Sequence, residues 1–188
     1  NPLSTASRLL AMSAALAIAD LKKMVNPKKR SDLQRFFKTG PGEYAEGDLF
    51  LGVRVPQTRT VAAKYKSLSL IEIRKLTSSQ YHEARLCGVI ILTLQFKATT
   101  DETIHKKLFN FYIKELKAGN INNWDLVDVS APTIGQYLLK TKKPIEFLLT
   151  LGRSKSLWQR RASIIFTFAF FRVGIFEPSL KMADELLY

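Results

Sequence analysis

The stretch Asp101-Glu-Thr-Ile-His-Lys-Lys-Leu-Phe-Asn-Phe-Tyr-Ile-Lys-Glu-Leu-Lys-Ala118 decides the fold class. Ile104, Leu108, Tyr112 and Leu116 recur every four positions with Phe109 and Ile113 beside them, so one stripe of a 3.6-residue helix is apolar. Lys106, Lys107, Lys114 and Lys117 fall on the other side, and Gly119-Asn120 ends the pattern. Working outward, the same three-and-four spacing predicts helices over Thr5–Val25, Lys28–Phe37, Gln57–Lys66, Leu70–Ser78 and Tyr81–Lys97 before it. After it come Trp124–Val129, Pro132–Leu139, Ile145–Leu151, Ser156–Phe171 and Pro178–Leu187. The breaks are marked by Asn26-Pro27, Gly40-Pro41-Gly42 through Gly52, Lys143-Pro144, Gly152 and Glu177-Pro178. Alternating β-branched runs with hairpin turns are nearly absent, so the chain reads as all-α.

We read residues 1–188 as a single domain, with N-terminal helices over 1–66 and helical pairs over 68–98, 101–140 and 144–187. That period suits a HEAT or armadillo-like α-α solenoid, in which each pair buries its apolar face only by stacking on its neighbours. An irregular helical bundle is the alternative.

Of the 188 residues, 46% are hydrophobic and 24% charged, which suits a globular chain and excludes both a disordered segment and a membrane bundle. The apolar run Leu9–Ala19 has the look of a signal-peptide core but reads more simply as a core helix. Ile164–Phe171 is far shorter than a bilayer span. One cysteine, Cys87, permits no internal disulfide and points to a reducing compartment. Against 16 Asp and Glu stand 29 Lys and Arg, a net charge of +13, and a globular chain this basic is drawn to polyanions. The cations are spread over Lys28, Lys29, Arg30, Arg35, Lys38, Arg54, Arg59, Lys64, Lys66, Arg153, Lys155, Arg160 and Arg161. Such spreading suits contact with a phosphate backbone on a basic concave face better than reading of bases.

Two short stretches carry candidate chemistry. In Asn122-Asn123-Trp124-Asp125-Leu126-Val127-Asp128, either Asn can cap a helix and Asp125 suits its first turn. Asp128 lies four residues beyond Trp124, so an indole and a carboxylate share one helical face, and both attract a cation placed between them. The bland reading is a core Trp beside a surface or salt-bridged Asp. In Leu157-Trp158-Gln159-Arg160-Arg161-Ala162, Arg161 falls inside the apolar cluster of Leu157, Ile164 and Phe168. A guanidinium there needs an acceptor, an internal carboxylate or a DNA phosphate. Arg160 and Arg153 read as solvated charges or phosphate contacts.

Elsewhere the signals are weak. His82-Glu83 lacks a second ligand at Leu86, and His105 stands far away, so no metal set is assembled. Glu43, Glu46 and Asp48 read as solvated turn residues, and Gly40-Pro41-Gly42 lacks the Gly-Lys-Ser/Thr of a nucleotide loop. Cys87, among apolar neighbours, reads as a small core residue. No metal or nucleotide cofactor is expected.

Taken together, Phe36-Phe37-Lys38-Thr39, Phe50-Leu51-Gly52-Val53-Arg54-Val55-Pro56, His82-Glu83-Ala84-Arg85, Asn123-Trp124-Asp125-Leu126-Val127-Asp128 and Leu157-Trp158-Gln159-Arg160-Arg161-Ala162 resemble the AlkD-like DNA alkylation repair glycosylases. The resemblance implies a HEAT-like repeat fold and a monofunctional glycosylase that removes cationic N3- or N7-alkylated purines, such as 3-methyladenine and 7-methylguanine, from duplex DNA. Trp124, Asp128 and Arg161 match the family's catalytic tryptophan, aspartate and active-site arginine, whereas Trp158 reads as packing. Arg160, Arg153, Lys155, Lys38, Arg54 and Arg59 are the expected DNA contacts. The expected partner is double-stranded DNA with alkylated bases, bound by a cytoplasmic monomer, nucleoid-associated if bacterial, with no membrane. The resemblance also implies a further helical pair beyond Tyr188. A non-catalytic DNA-binding protein of the same superfamily and a protein-interaction scaffold are the alternatives.

Overall fold

The computed structural model describes residues 12–187. Its elements there are all helical: α1 (Ala14–Lys22), α2 (Pro27–Phe36), α3 (Val55–Lys64), α4 (Leu70–Thr77), α5 (His82–Lys97), α6 (Glu102–Lys117) and α7 (Trp124–Ile134). A 3-10 helix (Gly135–Lys140) follows, then α8 (Pro144–Gly152), α9 (Leu157–Phe166), α10 (Phe168–Phe171) and α11 (Glu177–Leu187). No strand occurs among the described residues; a single bridge pairs Leu49 with Tyr81. Residues 5–11 of the first expected helix lie outside the described residues. Among the described residues no helix is long and apolar enough to cross a membrane.

Local chemistry sets the ends. Ser13, Asn26, Ser69, Asp101 and Ser156 each accept a hydrogen bond from a backbone N–H of the first turn, and Pro27 and Pro144 start their helices where no N–H is needed. The expected Thr5–Val25 helix is not continuous, since α1 begins at Ala14 behind the extended Ser13 cap and ends at Lys22, and Gln57–Lys66 is shifted to Val55–Lys64. Two further differences change an element. Trp124–Val129 and Pro132–Leu139 are not separate helices: α7 runs through Pro132, whose fixed φ is helical, and tightens into the 3-10 turn only at Gly135. The buried face of Leu126, Val127, Ser130, Ala131 and Ile134 holds the helix across the missing N–H. Conversely, Ser156–Phe171 breaks at Thr167, whose hydroxyl donates to the Ile164 carbonyl (2.7 Å) and accepts from Ser179 (3.0 Å).

The chain forms two compact units, Asn1–Gln95 and Phe96–Tyr188, which divide near the end of α5. In the first, α1 packs on α3 and α4, and α5 is buried along most of its length, with Ala84, Cys87, Val89 and Ile91 fully enclosed. Burial pushes the Cys87 thiol up to about 12, as suits an inert core residue. The loop before α3 is pinned by Glu83, a buried carboxylate that accepts N–H bonds from Leu51 (2.8 Å), Gly52 (2.8 Å) and Val53 (3.1 Å). Gly52, at φ +86°, is required: a Cβ there would stand 2.2 Å from the Asn26 carbonyl oxygen.

Asp48 is not the solvated turn residue the sequence suggested. It is buried, it accepts from the Arg85 guanidinium, and it lies 3.0 Å from His82 Nδ1. Burial alone would raise its carboxyl, but the His82 hydrogen bond and the Arg85 charge outweigh that and hold it below the ordinary value. Glu43 and Glu46 do behave as turn residues, accepting from the backbone N–H of Gly40 and Gly42. His82 is stacked on Phe50 at 4.4 Å, and Phe50 in turn on Phe37 at 5.0 Å.

In the second unit, α9 packs on both α7 and α8, and α11 covers α8. Tyr112 and Phe166 are fully buried at its centre with ring centroids 5.8 Å apart. His105 is stacked on Phe96 at 3.9 Å, and its Nε2 donates to the carbonyls of Phe96 (3.0 Å) and Thr99 (2.9 Å).

Candidate active site

The site is built where α7 and α9 cross. Asn123, fully buried, accepts the Trp124 N–H on its side-chain oxygen at 2.8 Å and so starts α7 at the tryptophan. One turn later comes Asp128. Beneath it, Ser130 Oγ lies 2.9 Å from the Tyr112 hydroxyl of α6 and donates to the Leu126 carbonyl at 2.5 Å. Full burial raises the Tyr112 phenol, which stays neutral and serves as a fixed hydrogen-bonding post. Pro132 cannot supply the N–H that would otherwise bond the Asp128 carbonyl.

From α9, Arg161 reaches across to Asp128. Its Nε donates to Oδ1 at 2.8 Å and its Nη2 to Oδ2 at 2.7 Å, a two-pronged pair in which each carboxylate oxygen takes one bond. The Asp128 hydrogen bond raises the Arg161 pKa still further. The pair is not sealed: the Asp128 side chain is 36% exposed and that of Arg161 38%. A carboxylate offers about four lone-pair sites, so two remain to meet a ligand. Close approach of the elements sets this geometry. Gly135, just past α7, touches α9 so tightly that a Cβ would stand 2.9 Å from the Phe166 ring and 3.0 Å from its carbonyl oxygen.

Of the sequence-predicted residues, the fold therefore brings Asp128 and Arg161 into direct contact and sets the half-buried Trp124 one turn before Asp128 on α7. Trp158 is also half-buried. Arg153, Lys155 and Arg160 gather at the α8–α9 turn but differ in state. Arg153 is paired with Glu185 through two bonds of 2.7 and 3.0 Å, and Arg160 donates to the carbonyls of Ser154 (2.9 Å) and Lys155 (3.0 Å), bracing the turn after α8. Lys155 is exposed. Lys38, Arg54 and Arg59 are exposed in the first unit, Lys38 in a left-handed conformation (φ 52°). A lysine held where glycine is cheaper projects its side chain from a fixed turn. Among the described residues no group of three His, Cys, Asp or Glu could hold a metal ion.

Sequence reasoning missed Glu83 and Asp48. Their partners lie 30 to 37 residues away along the chain, and only the adjacency of His82, Glu83 and Arg85 hinted at a buried polar cluster.

The family model described as DNA alkylation repair enzyme matches residues 17–188. No curated protein and no solved structure matches the chain.

Proposed function

The chain belongs to the DNA alkylation repair enzyme family, and from that premise we propose that it is a DNA glycosylase that hydrolyses the N-glycosidic bond of cationic N3- and N7-alkylated purines, with Asp128 as its central group. The observation that carries this reading is the Asp128–Arg161 pair: a carboxylate fixed in plane by a guanidinium fork, with Trp124 one turn before it, and still open to an incoming ligand.

The chemistry suits the substrate. An alkylated purine already bears positive charge, so when the C1′–N bond breaks the electron pair returns to the base, which leaves neutral without prior protonation. Positive charge then develops on the deoxyribose as in other glycoside cleavages. A fixed carboxylate beside that sugar stabilises the charge at no cost of reorganisation. Asp128 also accepts a hydrogen bond from the attacking water, whose proton passes through that bond to solvent as its oxygen bonds C1′. Trp124 offers a π-face to the cationic sugar. Arg161 orients Asp128 and has further N–H groups to offer a flanking phosphate. Lys38, Arg54, Arg59, Lys155 and Arg160 are proposed to hold phosphates on a basic face, and a solenoid arrangement of the helical pairs would supply its concavity.

The deciding experiment incubates the protein with methylated duplex DNA and measures release of free 3-methyladenine and 7-methylguanine. Release by the wild type and its loss by about 100-fold or more in Asp128→Asn, with duplex affinity retained, is the expected result. No release above background would overturn the enzyme reading and favour a non-catalytic DNA-binding protein.

A further inference from the structure

A pocket of about 640 Å³ lies in the first unit between α1, α2 and the loop entering α5, and it shares no residue with the Asp128 site. Lys22 and Arg30 line its sides, Gln34 and Tyr81 stand beside them, and the buried Phe50 and Leu51 form its floor. Its size is that of pockets that take small ligands. The lining holds two cations and no carboxylate.

Both cations are uncommitted. No ion pair joins Lys22 or Arg30 to an acidic side chain among the described residues, and Lys22 instead rests its ammonium 5.1 Å from the centre of the Tyr81 ring. The Arg30 Nε is shut off from solvent with no hydrogen-bond partner. A buried guanidinium N–H without an acceptor is costly, and its desolvation has already been met in folding, so an anion that reaches the Arg30 fork regains hydrogen bonds without that penalty. A neighbouring pocket of about 490 Å³ makes the contrast. It too is basic, but two of its three cations are committed, Lys23 to Asp20 at 2.7 Å and Lys29 to Asp32 at 3.9 Å.

We propose that the Lys22–Arg30–Gln34–Tyr81 pocket is a binding site for a phosphate ester. The phosphoryl oxygens take the Arg30 fork and the Lys22 ammonium, the Gln34 amide donates to a third oxygen, and the apolar floor with the Tyr81 ring carries the organic part of the ester. The mixed lining separates an ester from inorganic phosphate: two cations meet the anion, and Phe50 and Leu51 have nothing to contact unless a carbon skeleton comes with it. The site stands independently of base excision, since it uses none of Trp124, Asp128 or Arg161. The ester can be a free nucleotide or a link in a nucleic-acid strand.

The test is a titration of the full chain, followed by side-chain and backbone NMR, with thymidine 5′-monophosphate, the diester TpT, inorganic phosphate and thymidine. The expected result is a shift of the Arg30 Nε–H and Tyr81 signals with a phosphate ester, weaker binding of inorganic phosphate, and none with thymidine. Arg30→Gln and, separately, Lys22→Gln should each weaken ester binding by roughly tenfold. Tight binding of TpT assigns the site to a strand, and binding of the monophosphate alone assigns it to a free nucleotide or strand end. Equal response to thymidine, unchanged affinity in both variants, or no shift with any ester would overturn the proposal. Unchanged release of methylated purines by Lys22→Gln would separate this pocket from excision.

Discussion

Asp128 and Glu83 are both carboxylates fixed by hydrogen bonds, yet their surroundings give them opposite roles. Glu83 spends its lone pairs on three buried N–H groups and, itself buried, meets no ligand. Asp128 spends one on each oxygen and stays a third exposed. The contrast predicts separable phenotypes. Glu83→Gln turns one acceptor into an N–H₂ group facing an N–H donor, and stability measured by urea unfolding should fall by about 2–3 kcal/mol. Asp128→Asn, by contrast, should leave the urea midpoint within a few tenths of a molar of the wild type while excision is lost. The Trp124-to-Asp128 spacing and the misplaced charge of Arg161 were legible as sequence, because helical periodicity alone puts the first two on one face and the third on an apolar one. That Arg161 answers Asp128 rather than a phosphate was not, because the two are 33 residues apart and only the α7–α9 crossing joins them.

The elements carry this crossing through their ends and their small residues. α7 runs from the Asn123 cap through Pro132 to Gly135, and Gly135 is the point at which it comes against Phe166 of α9. Gly135→Ala would force the two apart by some tenths of an ångström. We expect a loss of about 1–3 kcal/mol in thermal unfolding, with a loss of excision beyond what the fraction of folded protein explains, because the Asp128–Arg161 bonds stretch with the crossing. An unchanged Tm would show that Phe166 yields instead. Most helices were readable from spacing and caps. The exceptions were Pro132, where packing of a buried face outweighs a missing hydrogen bond, and Thr167, whose hydroxyl competes with the backbone for the Ile164 carbonyl.

At the scale of the whole molecule, the +13 charge predicts salt-sensitive DNA binding, and the cations differ in whether a carboxylate already holds them. Arg153 is engaged by Glu185 and Lys155 is exposed, so Lys155→Ala should reduce the slope of log affinity against log salt by about 1, whereas Arg153→Ala should barely change it. Equal effects from the two would mean that DNA displaces Glu185. By itself the sequence determined the helical class and the polyanion-seeking charge and singled out Trp124, Asp128 and Arg161 as candidates, since composition and a 3.6-residue repeat act through neighbours a turn apart. Tertiary structure alone decided that Arg161 holds Asp128, that Arg153 is neutralised, that Asp48 and Glu83 are buried anchors, and that Lys22 and Arg30 flank a pocket. The physical reason is that burial and ion pairing depend on groups tens of residues distant, whose meeting is set by helix crossings that no local pattern encodes.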